Sequence, residues 1–190
     1  MIFSNSKHAV LSVLIATAIG GVMVTDAFAQ SRSAERNNER RGGKNKATKA
    51  EPLYPQATRV EPDGKSSAKL GTKLQKLIDT YNDQKFPETR TLADEILANS
   101  AANDYDKSLA AQLASQAAYQ TEDNVAAKKY LQQVLQFNGL DNNGHYQSLL
   151  MLAQLQLQDD ETVAGLATLD KYFAETKSTK PEELIIKGQA

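Results

Sequence analysis

The stretch Ala117–Asn138, AAYQTEDNVAAKKYLQQVLQFN, reads as the end of one helix, a polar corner and most of a second helix. Its apolar side chains recur along the chain at one offset. Shifted by 38 residues, Tyr81 falls on Tyr119 and Tyr119 on Leu157. The same shift takes Ala93 to Leu131 and Leu169, Ile96 to Val134 and Tyr172, and Leu97 to Leu135 and Phe173. A period of this size, carried through three copies, marks a repeat of supersecondary units.

Each copy resolves into two helices. In the first, Leu70, Leu74, Leu77, Ile78 and Tyr81 share one helical face; Pro87 and Glu88 then suit the first turn of a second helix with Leu92, Ala93, Ile96 and Leu97 as its apolar side. The second copy sets Leu109, Leu113, Ala114, Ala118 and Tyr119 on its helix A and Ala127, Tyr130, Leu131, Val134 and Leu135 on its helix B, with Gly139 as the stop. The third sets Tyr146, Leu149, Leu150, Ala153 and Leu157 before Leu166, Leu169, Tyr172 and Phe173, with Thr162 as an N-cap. Polar corners join the helices at 82–86, 120–124 and 158–162. Thr89, Ala127 and Gly165 align, and a small side chain early in helix B lets it approach helix A closely.

The copies span about 67–104, 105–142 and 143–180, and a fourth starts at 181–190 with Thr179 and Glu182 as a capping box around Pro181. Since one hairpin cannot bury its own apolar face, neighbours must stack. The fourth unit is incomplete. It is either a shortened cap or the opening of a longer array, and the apolar run Leu184–Ile186 favours the latter.

The 190 residues carry a formal net charge of -1 and no Cys. The charge is unevenly spread: ten Lys/Arg face five Asp/Glu from Gln30 to Lys69, against eleven and seventeen from Leu70 onward. Residues 1–29 have a short basic head, an apolar run from Ala9 to Val24 and small residues at Ala27 and Ala29, the pattern of a signal peptide cleaved near Ala29. That run is too short for the roughly 20 residues of a membrane span. Export across the inner membrane to the periplasm follows, where a chain without Cys avoids stray disulfides and offers no acceptor for a lipid anchor.

Residues 30–66 show no period and little apolar surface to offset the ~1–2 kcal/mol per residue lost on ordering, so a disordered basic linker is expected, within which Leu53–Pro55, followed by Pro62, is extended or turn-like and could dock loosely on the body. Its cations Arg32, Arg36, Arg40, Arg41, Lys44, Lys46 and Lys49 could touch an anionic membrane or cell-wall polymer. The Gly42–Asn45 run lacks the spacing and the Ser/Thr of a phosphate loop.

Helix A of the first copy resembles the tetratricopeptide repeat (TPR) family through Leu74, Leu77, Ile78 and Tyr81; Tyr119 and the Leu150, Ala153, Gln154 and Leu157 set continue the pattern loosely. The period departs from the family's ~34 residues, and no Pro closes helix B. The resemblance covers about 67–190 and implies an all-α, TPR-like α–α superhelix, a solenoid of hairpins, whose concave A-helix face binds protein segments. By spacing from the Tyr, the partner groove would comprise Thr72, Gln75, Asp79 and Asn82, then Ala110, Leu113, Ala117 and Gln120, then Ser148, Met151, Leu155 and Gln158. These positions carry no Lys or Arg, which turns the expectation from acidic C-termini towards a partly apolar ligand. Leu113, Met151 and Leu155 fit a core equally well.

Material for catalysis is scarce. After the leader His145 is the single His, expected to face solvent or cap a helix, and the Glu122–Asp123 and Asp159–Asp160 pairs suit helix starts rather than a reaction centre. No cofactor or metal is expected, and the acidic body argues against nucleic acid. The resulting expectation is a non-enzymatic periplasmic scaffold for protein partners in a cell-envelope complex. Similar architectures accompany TonB-type energy transduction, the Tol-Pal and cell-wall synthesis system, and outer-membrane protein assembly. The alternative is a wall- or membrane-surface module, with the basic arm bound to an anionic polymer and the repeats as a spacer.

Overall fold

The structure, a computed structural model, describes residues 52–189. The signal peptide expected over 1–29 and the cations from Arg32 to Lys49 lie outside the described residues. Within them are seven helices and no strand: α1 (Gly71–Asn82), α2 (Phe86–Leu97), α3 (Asp104–Gln120), α4 (Asn124–Phe137), α5 (Asn142–Gln158), α6 (Thr162–Thr176) and α7 (Pro181–Gln189). From α1 to α6 each helix packs against the next, and α1 also meets α3. Among the described residues no helix is long and apolar enough to cross a membrane.

The 38-residue spacing is built into the backbone. Gln84, Glu122 and Asp160, each 38 residues after the last, take left-handed conformations with φ of 59°, 59° and 61°. Each corner closes with the same two bonds. Gln84, Glu122 and Asp160 donate to the carbonyls of Tyr81, Tyr119 and Leu157, and the next residues, Lys85, Asp123 and Glu161, reach back to Thr80, Ala118 and Gln156. This is the Schellman closure, which occupies carbonyls left over at a helix end.

Helix starts use side chains where the sequence supplies acceptors. Asn103 and Asp106 form a reciprocal capping box on α3, Asp123 accepts from Ala126 N–H, and Asp141 accepts from Gly144 N–H. Two expected caps move by one residue. The N-cap of α6 is Glu161, leaving Thr162 as the first helical residue. In α7 the Leu184 N–H bonds to Lys180 O, so the helix starts one residue later than a Thr179 cap requires. The reason lies in the preceding joint: the left-handed residues ending α4 and α6 are Asn138 and Lys177, which are 39 apart.

Two glycines are set by space. A Cβ on Gly165 would come within 2.6 Å of Leu157 Cγ and Cδ2, so α6 lies against α5 at a distance only a hydrogen allows. A Cβ on Gly139 would fall 2.3 Å from the Asp104 carbonyl, and its N–H donates to Ser108 Oγ at 2.9 Å. Gly139 is therefore the point where the α4–α5 joint presses on α3; the helix stop expected of it is made by Asn138.

The core falls into two clusters. The larger gathers Leu74, Leu77, Ile96, Leu113, Leu131 and Val134 with Met151, Leu152 and Leu155 of α5. The smaller holds Tyr146, Leu149, Leu150, Ala153, Leu169, Tyr172 and Ile186 together with Tyr54. Tyr54 shows that the linker expectation for 30–66 fails over 52–66. This stretch is an extended strap laid across the body, because Tyr54 and Arg59 supply the anchoring that its mean composition conceals.

Candidate functional site

The twelve positions expected to form one groove divide. Thr72, Asp79 and Asn82 are exposed on α1, and half-buried Gln75 donates to Asp79 at 2.8 Å. Gln120 is exposed and Gln158 half-buried. Ala110, Leu113, Ala117, Ser148, Met151 and Leu155 are buried, Leu113 to 1% and Leu155 to 0% exposure, and belong to the interior rather than to an open groove. The cause is the make-up of α3 and α5. From Ser108 to Ala118 every residue of α3 is buried, and small Ser108, Ala110, Ala111, Ala114, Ser115, Ala117 and Ala118 let neighbours close in on all sides. In α5 the same continuous burial runs from Ser148 to Gln156.

What the structure does bring together lies under the strap. Leu53 N–H donates to Asn143 Oδ1 at 2.9 Å, and Thr58 N–H donates to Glu175 O at 2.9 Å. Between them the Tyr54 ring is 7% exposed and meets Tyr146 and Tyr172 edge-on, with centroids 5.2 and 5.9 Å away. Such edge contacts contribute about 0.5–1.5 kcal/mol beyond burial itself. Lys180 Nζ stands 4.9 Å from the Tyr54 ring and pairs with Glu183 at 3.2 Å, which roofs the pocket from α7.

Arg59 makes the second anchor at the α4–α5 joint. Its guanidinium donates to Asn138 Oδ1 (2.8 Å), Asn142 Oδ1 (2.7 Å), Asn138 O (3.0 Å) and Leu140 O (2.8 Å). Asn142 returns a bond to Arg59 O and its own N–H reaches Glu61. Further on, Lys65 O accepts from Asn103 Nδ2, and Ser67 N–H donates to the buried Asp106 carboxylate. The strap thus crosses the start of α5 and then of α3 on its way to α1. Sequence reading offered Leu53–Pro55 as a loose dock on the body and missed the Arg59 anchor; the further legible signal was a Tyr and an Arg five residues apart in a segment otherwise poor in large side chains.

The pocket floor is electrostatically unusual. His145, expected to face solvent, is 4% exposed and edge-on to Tyr146 at 5.2 Å, because its helix turns it inward. Burial, with the positive charges of Arg59 and Lys171, holds its imidazole down at about 4. Burial also pushes the Tyr54 and Tyr172 phenols up, so both stay neutral. His145 Nδ1 is buried without a hydrogen-bond partner, whereas the Tyr172 hydroxyl lies within reach of Tyr54 and Glu183 and the Tyr146 hydroxyl within reach of Glu175.

The opposite edge, along the Schellman corners, repeats too. Arg90 pairs with Asp123 at 2.9 Å, and Lys128, 38 residues on, pairs with Glu161 and Asp159 at 2.6 Å each. An open depression of about 480 Å³ lies beside the first pair, lined by Pro87, Arg90, Thr91, Asp94, Thr121 and Asp123. Equivalent apolar side chains at Pro87, Val125 (76% exposed) and Val163 (86% exposed) stand along this edge. Among the described residues no group of three or more His, Cys, Asp or Glu could hold a metal ion. In comparisons with known proteins, no family model, no curated protein and no solved structure matches the chain.

Proposed function

We propose that the chain is a scaffold of the tetratricopeptide kind, its hairpins stacked as a superhelix, which holds a protein partner in the periplasm as part of a cell-envelope complex. The observation that supports this reading is the recurrence, at 38-residue intervals, of one corner with one exposed apolar side chain: Pro87, Val125 and Val163 follow the same closure in successive hairpins. A surface repeated in register offers an extended partner the same contact several times, the way repeat scaffolds bind. Solvent-facing apolar residues aligned in this manner serve no core, whereas single ones scattered at random need no explanation.

A photo-crosslinking residue placed at Val125 or Val163 of the exported protein tests this. The scaffold reading expects a discrete heavier adduct in the intact envelope from both positions, and none from Val60, which is 90% exposed but lies on the strap. Equal labelling from all three sites, or none from any, counts against it.

A further inference from the structure

We propose that the groove beneath the strap is a docking site for an extended protein segment bearing an aromatic side chain and, five residues later, an arginine, and that residues 53–61 close it from within. The inference deepens the scaffold reading by naming a second binding place and the chemistry of what enters it.

The strap has the form of a ligand more than of a structural element. Two side chains anchor it, Tyr54 in the Tyr146–Tyr172 pocket and Arg59 on four acceptors of the α4–α5 joint, and these are the residue types that dominate binding interfaces. Between and beyond them it is exposed: Leu53 is 46% and Val60 90% accessible, and its bonds at Leu53, Thr58 and Arg59 Nε are open to solvent. Segments with few buried apolar contacts and solvent-exposed backbone bonds open before the rest of a protein does.

The fit is also incomplete. With the strap in place, His145 Nδ1 remains buried and unpaired beside Tyr146. A segment that sets its own arginine on the acceptors Arg59 uses and also offers His145 Nδ1 a hydrogen-bonding partner gains over the strap, because an unmet buried polar group opposes binding. The groove itself is framed by helices and survives as a shape when the strap leaves, since Asn138, Leu140 and Asn142 are held by the joint that Gly139 locks against α3. The chain's own segment then acts as an intramolecular competitor, and a partner binds with an affinity reduced by the fraction of time the groove is covered.

The test uses the full chain and a fluorescein-labelled peptide of residues 52–62, PLYPQATRVEP, as the probe. The variant Tyr54→Ala/Arg59→Ala, whose strap is weakened, should bind this peptide saturably and about tenfold or more tighter than the wild type does. A peptide carrying the same two replacements should lose that binding. In the wild type, hydrogen exchange at Ala57 and Thr58 should run at least about tenfold faster than at Leu150 within α5. Equal peptide affinity for wild type and variant, no saturable binding to a variant of full helical content, or strap and α5 amides exchanging together each overturn the proposal. A variant that fails to fold does so as well, since the strap is then structural. Because the probe is the chain's own segment, this result stands apart from the adducts at Val125 and Val163, whose absence would sink the scaffold reading alone.

Discussion

Gly165 shows how a single hydrogen atom sets the distance between two helices. Gly→Ala within a helix ordinarily gains up to about 1 kcal/mol, but here the added methyl meets Leu157 at 2.6 Å. Gly165→Ala should therefore destabilise by about 1–3 kcal/mol in urea unfolding, and the loss should shrink in a Leu157→Ala background, which removes the side-chain atoms at 2.6 Å and leaves the Leu157 backbone nitrogen at 3.2 Å. The aligned positions Thr89 and Ala127 made this close approach legible in the sequence. His145 was not legible: nothing in its local sequence reveals that α5 is buried on every side, and burial is what decides its protonation. A folded-state value near 4 against an ordinary 6.5 means that the unfolded chain takes up the proton first as pH falls. The contribution of His145 is thus complete above about pH 6.5 and is lost progressively towards pH 4. Between pH 7 and 4.5 the wild type should lose about 2 kcal/mol more stability than His145→Leu, measured by chemical unfolding at each pH.

At the scale of the element, helix ends and helix faces behaved differently as sequence signals. The corners were placed correctly by the 38-residue offset, yet their left-handed residues are Gln84, Glu122 and Asp160, where a glycine would have announced the turn. Replacing each with Gly should stabilise the protein by about 0.5–1 kcal/mol, near-additively since the corners are separate, as thermal or urea unfolding would report. Faces misled for a physical reason. In α1 the apolar side chains form a stripe and the remaining face is wet, but α3 and α5 carry Ala, Ser and Gln where a solvent face was read. Small and uncharged residues do not distinguish water from a closely packed neighbour, so Leu113, Met151 and Leu155 were open to either assignment. Leu113→Asp places a charge at 1% exposure and should abolish the helical circular dichroism signal at neutral pH, whereas Asp79→Ala on the exposed face of α1 should leave it within about 0.5 kcal/mol of wild type.

Across the whole molecule, hairpins are joined by two kinds of fastening on opposite edges. Along the corners the ion pairs Arg90–Asp123 and Lys128–Glu161 repeat with the period, linking helix B of one hairpin to the turn of the next. Lys128 is 12% exposed at its side chain, and a double-mutant cycle with Asp159→Ala should give a coupling of about 0.5–1 kcal/mol that weakens in salt. Along the other edge runs the strap. The repeat itself could be read because it is local and periodic, and an offset search detects such order directly. The partners of the strap could not, because Tyr54 meets residues more than ninety positions away and composition carries no trace of such pairing.

That path also inverts the molecule's mechanical order. Leu53 and Tyr54 are held beside α5 and α7, at the end reached last by the sequence, while Ser67 leads into α1 at the other. A tug applied at Pro52 is consequently borne first by the third hairpin. It would peel Tyr54 and then Arg59 one after the other, as a zipper opens, before any tension arrived at α1.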